Sequence, residues 1–302
     1  MRTVYREEPC RTALNRVAGM GFHWSLNPYM GCAHRCAFCY VRGFERRADR
    51  PSDERYGTNI RVKANVVDVL RAELARRSWR RETVAIGAAT DPYQPAEGRY
   101  RLTRGCIIAL GEARTPLDLI TRGPLIVRDV DVLAEASRRA SVRVSISIAT
   151  LDPQLSARLE PGVAPPRQRL RAIRLLSDAG IAAGVALAPV PVLPGPTAAP
   201  RSRAAVRAAA RVAGATHSWS NVLNLRAGTR EHFLSVVERE WPEELARYRH
   251  LYPASGSGYL RRSDAAPIEL RVAAVKRGAG IADRRRIVLT PPPPPAQLGL
   301  SL

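Results

Sequence analysis

Cys32-Ala33-His34-Arg35-Cys36-Ala37-Phe38-Cys39-Tyr40 is the stretch on which the reading of this chain turns. Three of its five cysteines fall here, four and then three residues apart. A loop with this spacing can turn three sulfurs toward one centre. Thiolates are the usual protein ligands of iron–sulfur clusters, and a four-iron cube takes one ligand per iron. Three cysteines leave one iron open to a small molecule, whereas a cube held by four mostly carries electrons. Two other chemistries use the same residues: a Cys3His zinc knot completed by His34 or His23, and a redox-active thiol cluster. Zinc sites usually combine two separated CxxC or HxxxH pairs, and this chain has no second pair, so the spacing favours the cluster.

Composition bounds the rest. A chain of 302 residues makes one large domain or two modest ones. It can bury roughly three quarters of its unfolded surface, so no disulfide staples are required. Five cysteines with three clustered do not form a secreted disulfide framework. The opening Met1-Arg2-Thr3-Val4-Tyr5-Arg6-Glu7-Glu8 has no apolar signal core. The longest apolar run, Ile181 to Pro196, is broken by four prolines. The expectation is a cytoplasmic chain with no membrane partner.

The net charge of +21 comes almost entirely from arginine, since lysine occurs only at Lys63 and Lys276. Alanine and proline are also abundant, the mark of biased codon usage. A solvated arginine-rich exterior and an electrostatic footprint for nucleic acid both fit. Arg46-Arg47, Arg76-Arg77 with Arg80-Arg81, and Arg284-Arg285-Arg286 are the candidate clusters. Charge alone gives salt-sensitive, sequence-blind binding.

Outward from the loop, residues 1–20 read as a polar, irregular extension with Cys10 as a bystander. A strand from Phe22 to Leu26 leads into the cysteine loop through Gly31, which can take a positive φ. Residues 42–60 read as a long polar excursion, and excursions of that length tend to be functional or mobile. Strands are then predicted over 83–89, 117–121, 142–149, 181–189 and 216–223. Between and after them come helices over 66–75, 103–113, 130–139, 167–179, 204–212, 230–237 and 243–251. Alternation of this kind argues for an α/β fold of parallel βαβ units. Periodicity alone fits both a partial barrel and an open doubly wound sheet. The core is expected over 21–253, with a C-terminal extension over 254–289 holding one helix from Ile268 to Arg277. Residues 290–302, with five consecutive prolines, read as a disordered tail.

The CxxxCxxC spacing, with Phe38 before the last cysteine and Tyr40 after it, resembles the cluster loop of radical SAM enzymes. Asn27 to Cys32, Thr90 to Pro95, Glu160-Pro161-Gly162 and Ala188-Pro189-Val190-Pro191 resemble signatures of the branch that contains spore photoproduct lyase and its uncharacterised relatives. The resemblance spans about residues 22–225. It implies a partial (β/α)6 TIM-like barrel with N- and C-terminal extensions and an active site at the C-terminal ends of the strands. It implies a [4Fe–4S] cluster on Cys32, Cys36 and Cys39, with S-adenosylmethionine (S-adenosyl-L-methionine) chelating the open iron and being cleaved reductively to a 5′-deoxyadenosyl radical. By the same resemblance, Phe38, Tyr40, Ala89, Thr90, Asp91, Arg122, Ser147, Ala188 and Val190 are the candidate cofactor contacts, and the electron donor is of flavodoxin or ferredoxin type.

The residues themselves leave other roles open. Asp91 before Pro92 also suits an Asx turn. Alternation does not separate Ser145 from Ser147, and Ala188 and Val190 are equally ordinary as core. The branch points to a nucleic-acid substrate such as a DNA lesion. Modification of a peptide, protein or metabolite is the rival, and a cluster-bearing binding or redox-sensing protein is the third reading. Two departures stand out. Spore photoproduct lyase carries a cysteine near the end of strand two, where this chain has Gly87-Ala88-Ala89, and Cys106 is the only spare thiol nearby. Relatives carry lysine where this chain has Arg122, a change of contact shape as well as of residue.

Overall fold

The computed structural model describes residues 2–190 and 213–291. The extension begins with two short strands, β1 (Val4–Glu8) and β2 (Leu14–Arg16), rather than irregular chain. β1 is largely exposed and is held by parallel backbone pairing to β5 (Asn59–Lys63), so it has no apolar rhythm to read. β2 lies antiparallel on β3 (Trp24–Leu26). The short β4 (Tyr29–Met30) completes a small sheet in the order β1-β5-β4. The 42–60 excursion is ordered at both ends, by helix α1 (Val41–Arg47) and by β5.

The repeating part keeps the predicted alternation and adds two short helices, Pro95–Tyr100 and Pro153–Leu159. Helices α2 (Val66–Leu74), α3 (Pro95–Tyr100), α4 (Leu102–Glu112), α5 (Val130–Arg139), α6 (Pro153–Leu159) and α7 (Pro166–Asp178) intersperse with strands β6 (Val84–Ile86), β7 (Leu117–Thr121), β8 (Val142–Ser147), β9 (Ala182–Val190) and β10 (His217–Val222). The large sheet runs β11-β10-β9-β8-β7-β6-β3-β2, where β11 is Ala282–Asp283, and every neighbouring pair but β2–β3 is parallel. From β3 to β10 the strand order never reverses. A doubly wound sheet must reverse at its switch point, so the alternative that periodicity left open is excluded and the sheet is that of the partial barrel.

Burial explains the rhythm. Val84, Ile86, Leu117, Leu119, Val144, Ile146 and Val185 are fully buried in one core with Leu70, Ile107, Leu110, Leu133 and Ile173 of the helices. Side chains alternate across a strand, so Ser25, Ala85, Asp118, Arg143 and Ser145 take the other face, toward the barrel interior. There the buried Asp118 accepts from Arg143 at 2.6 Å and from Arg284 at 2.5 Å. The Ser145 hydroxyl lies 3.1 Å from His217 Nε2. Burial, and then the Arg143 charge, depress His217 to about 4, so it is neutral in this polar floor.

The C-terminal stretch does more than extend the barrel. After α8 (Thr229–Glu240), α9 (Leu245–Leu251) and α10 (Arg262–Gly278), β11 adds a seventh parallel strand. The chain then crosses the N-terminal ends of the strands: Thr83 Oγ1 donates to the Leu289 carbonyl at 3.2 Å and Ser141 Oγ to that of Thr290 at 3.0 Å. Arg284 plugs the floor from below. α10 starts at Arg262, earlier than the helix expected from Ile268, and carries Pro267 within it. The helix expected over 204–212, Pro191, and the tail from 292 lie outside the described residues.

Candidate active site and cofactor centre

The cysteine loop leaves the C-terminal end of β3 through β4 and is strapped from two sides. On one, Thr90 Oγ1 and Gln94 Nε2 donate to the Gly31 carbonyl at 2.6 and 3.0 Å, and the Ala33 amide donates to Gln94 Oε1 at 3.0 Å. The Ala89 amide donates to Asn27 Oδ1 at 2.9 Å. On the other, the Ala37 amide donates to the Leu159 carbonyl at 2.8 Å and the Gly162 amide to that of His34 at 3.1 Å. A Cβ at Gly162 would stand 2.5 Å from the Ala33 oxygen, so the Glu160-Pro161-Gly162 motif is a brace that only glycine lets close. Gly31 has φ +83°, the left-handed geometry expected of it.

Cys32 and Cys36 are buried and Cys39 is half-buried. Burial pushes the Cys32 thiol well above its ordinary range, and the neighbouring charges of Asp91, Cys39 and Cys36 push the same way. Burial likewise raises Cys36, with the Arg122 guanidinium opposing it. The three cysteines share one loop, and Cys32 and Cys36 sit in surroundings where a thiolate needs a cationic centre to be stable. An iron–sulfur cluster supplies that charge, so the donor set fits the group. The zinc alternative does not fit. His34 Nδ1 is turned to Asp91 Oδ2 at 3.3 Å, and His23 pairs with Glu82 at 2.9 Å, just before β3 and β6 begin. Among the described residues, no three His, Cys, Asp or Glu side chains, the three cysteines included, gather as ligands of a single metal ion.

Asp91 sits at the centre of a buried knot. Its carboxylate accepts from Thr121 Oγ1 at 2.5 Å, the Arg122 amide at 2.7 Å and the Tyr93 amide at 2.9 Å. Burial works against its charge, but His34, Thr121 and Arg122 together hold its carboxyl below the ordinary value. Asp91 thus makes its Asx turn and also joins the loop to the ends of β6 and β7.

Arg122 uses the full fork that distinguishes it from lysine. One arm meets Glu160 at 2.9 Å, the other donates to the Ala188 carbonyl at 2.6 Å, and the guanidinium lies 5.1 Å from the Phe38 ring centroid. Glu160 is shared with the fully buried Arg169 at 2.7 Å, which also donates to the Ser147 carbonyl at 2.9 Å. With Ser145 engaged by His217, Ser147 is the serine of that face nearer the strand's C-terminal end. The Tyr40 hydroxyl donates to the Ala88 carbonyl. Val190 is buried and its carbonyl accepts from the Leu223 amide at 3.2 Å.

Phe38, Arg122, Ser147 and Ala188 are thus drawn into one connected shell through Glu160 and Arg169, while Tyr40, Ala89 and Thr90 bind the loop to β6. Gln94, Glu160 and Arg169 were not singled out as site residues. Gln94 and Glu160 lie within the Thr90 to Pro95 and Glu160-Pro161-Gly162 signatures, whereas Arg169, a buried polar side chain with distant partners, shows its role only in the fold.

The two departures take physical form. Gly87 has φ +94°, and a Cβ there would stand 2.2 Å from the Ile120 oxygen, so a cysteine at that position would not fit. Cys106 is fully buried in the core between the sheet and its helices, and Cys10 packs against the same core. Of the arginine clusters, Arg284 is internal and Arg46 pairs with Glu231 at 3.2 Å. Arg76, Arg77 and Arg81 line a cavity of about 340 Å³ beside the starts of β6 and β7, away from the loop. No helix among the described residues is long and apolar enough to cross a membrane.

Comparison with known proteins bears on the fold and the family. The fold is similar to spore photoproduct lyase solved with AdoMet and dinucleoside spore photoproduct, at TM-score 0.70 and 15% identity over 94% of this chain and 82% of that one. A complex of that lyase with dinucleoside spore photoproduct gives TM-score 0.69 at 14% identity, covering 92% and 81%. Uncharacterised proteins of Mycobacterium tuberculosis and Mycobacterium bovis are each 41% identical over 252 residues, covering 82% of this chain and 74% of theirs. The sequence model of the radical SAM superfamily matches residues 26–204. The chain belongs to the radical SAM superfamily.

Proposed function

We propose that this chain is a radical SAM enzyme in which Cys32, Cys36 and Cys39 hold a [4Fe–4S] cluster, and that its substrate is a nucleic acid. When bound, cluster and S-adenosylmethionine supply a 5′-deoxyadenosyl radical by one-electron reductive cleavage. The observation that carries the reading is the cysteine loop itself, fixed at the C-terminal end of β3 by Gln94 and Thr90 on one side and the Gly162 brace on the other. The chain's own task is positional. Arg122, anchored on Glu160, lies over the Phe38 ring and donates to the Ala188 carbonyl, and Tyr40 is tied across to Ala88. The reducing electron is assigned to a flavodoxin- or ferredoxin-type donor, in the cytoplasm.

The substrate class draws support from the helix that follows the loop. Phe44 of α1 is 39% exposed and carries Arg47 at 4.9 Å over its ring. Aromatic faces of this kind stack bases, and nearby arginines track the backbone. The dinucleoside bound by the similar lyases belongs to the same chemical class. The stretch Gly87-Ala88-Ala89 holds no thiol where that lyase carries a cysteine, so any step that uses that cysteine would differ here. The rival, modification of a peptide, protein or metabolite, is favoured by the distance of the Arg76–Arg81 cluster from the loop.

Reconstituted protein given dithionite and S-adenosylmethionine without oxygen is expected to release 5′-deoxyadenosine. Its absence from a protein that holds iron would leave the binding-or-sensing reading standing. Ultraviolet-damaged DNA is expected to raise that yield and to bind more tightly than intact DNA, with binding weakened by salt. Equal binding to any polyanion, with no rise in product, would transfer the proposal to the rival substrates.

A further inference from the structure

The polar excursion after the cysteine loop has a destination. α1 ends at Arg47 and β5 begins at Asn59, and the chain between them folds back onto the thiols. Arg42 secures that return. Its guanidinium, buried within α1, donates from Nη1 to the carbonyls of Ser52 at 2.8 Å and Asp53 at 2.6 Å. The Tyr56 amide in turn donates to the Asp53 carbonyl at 3.0 Å. Gly57 then passes the loop so closely that a Cβ there would lie 2.3 Å from the Cys32 oxygen, with φ +77° besides. The result is a small buried cluster of Cys32, Val41 and Tyr56, with Cys39 packed against it.

Within that cluster the Tyr56 hydroxyl lies 3.5 Å from Cys39 Sγ, and Arg42 Cζ lies 4.6 Å from the Tyr56 ring centroid. Tyr56 is only 2% exposed, so no water competes freely for its hydroxyl. A ligating cysteine is a thiolate and has no proton to give, whereas a phenol keeps its own at neutral pH. The donor in this pair is therefore Tyr56. Hydrogen bonds to ligand sulfur spread the negative charge that reduction adds and move a cluster's potential upward. The Arg42 cation behind the ring acts in the same direction.

We infer that Tyr56, backed by Arg42, donates a hydrogen bond to the Cys39 ligand sulfur and raises the reduction potential of the cluster. The inference rests on the radical SAM reading above. The step concerned is the addition of one electron to the oxidised cluster, with dithionite as reductant in the test. No bond is made or broken at Tyr56, whose proton stays on the phenol. Tyr56 acts through Cys39 and is a positioning and tuning residue.

The test compares wild type, Tyr56→Phe, and a chain with 3-fluorotyrosine installed at position 56, all reconstituted anaerobically with iron and sulfide. Iron and sulfide are counted first, and the midpoint potential is then read by redox titration followed by electron paramagnetic resonance. With iron content equal, Tyr56→Phe is expected to shift the midpoint to more negative potential. The fluorinated phenol, a stronger donor of nearly the same size, is expected to shift it the other way. The two opposite shifts separate tuning from packing, which both replacements leave nearly intact. If Tyr56→Phe fails to hold iron, the fluorinated chain alone carries the test. Unchanged midpoints in iron-replete proteins would overturn the inference while leaving the cluster reading intact. A wild type that binds no iron would overturn both.

Discussion

Cys36→Ala is expected to lower the iron recovered after anaerobic reconstitution from about four atoms per chain to well below one. Cys36 is buried against Phe38 and the Leu223–Leu225 segment, so no substitute ligand from solvent-facing chain reaches it. Losing one of three protein ligands leaves two irons of a cube without protein donors, and such clusters fall apart. The substitution removes a single small side chain from the interior, so stability of the metal-free protein is expected to fall by no more than about 1–2 kcal/mol. Iron analysis with circular dichroism on the same sample separates the effects. Full iron content in Cys36→Ala would show that Cys36 is not a ligand. Cys10→Ala and Cys106→Ala serve as controls that keep their iron, since both thiols pack in the core on the other side of the sheet.

The second large effect belongs to a residue with no direct claim to chemistry. Glu160→Gln is expected to destabilise the protein by about 3–5 kcal/mol, because it leaves buried guanidinium charge uncompensated. Arg169 is fully buried and Arg122 mostly so, and both pair with this one carboxylate. Burial opposes ionisation of Glu160, but Arg169 and Arg122 hold its pKa below the ordinary 4.5. Its stabilising contribution is therefore complete above about pH 4.5 and is lost as pH falls through the lower folded value. The matched control is Glu135→Gln, whose partners Arg138 and Arg139 are exposed, with an expected change within about 1 kcal/mol. Urea unfolding of both variants at pH 7 checks the pair. Equal small effects would mean that the Arg122–Glu160–Arg169 chain does not hold the shell together.

The same network shows where the sequence stops being informative. Among the described residues, the alternating strands and helices were readable because each strand turns one apolar side to the helices, as Val84, Leu117 and Val144 do. The cysteine loop was readable because its chemistry lies within eight residues. Strand β1 was not, since it is polar and held by backbone pairing to a segment far along the chain. The Asx turn of Asp91 could be read locally, but its pairing with His34 and Thr121 could not, because those partners meet it only when β3, β6 and β7 lie side by side. Arg284 is the strongest case. In sequence it is one of three adjacent arginines and reads as surface charge, yet it ends inside the barrel on Asp118.

The most direct measurement is the metal and sulfide content of the anaerobically reconstituted wild-type chain, with its electron paramagnetic resonance recorded before and after S-adenosylmethionine is added to the reduced protein. About four irons and four sulfides per chain, and a spectrum that changes on addition, are the predicted result for a cube held by three cysteines with one iron open. A colourless protein carrying one zinc, or a cluster whose spectrum ignores the cofactor, would contradict it.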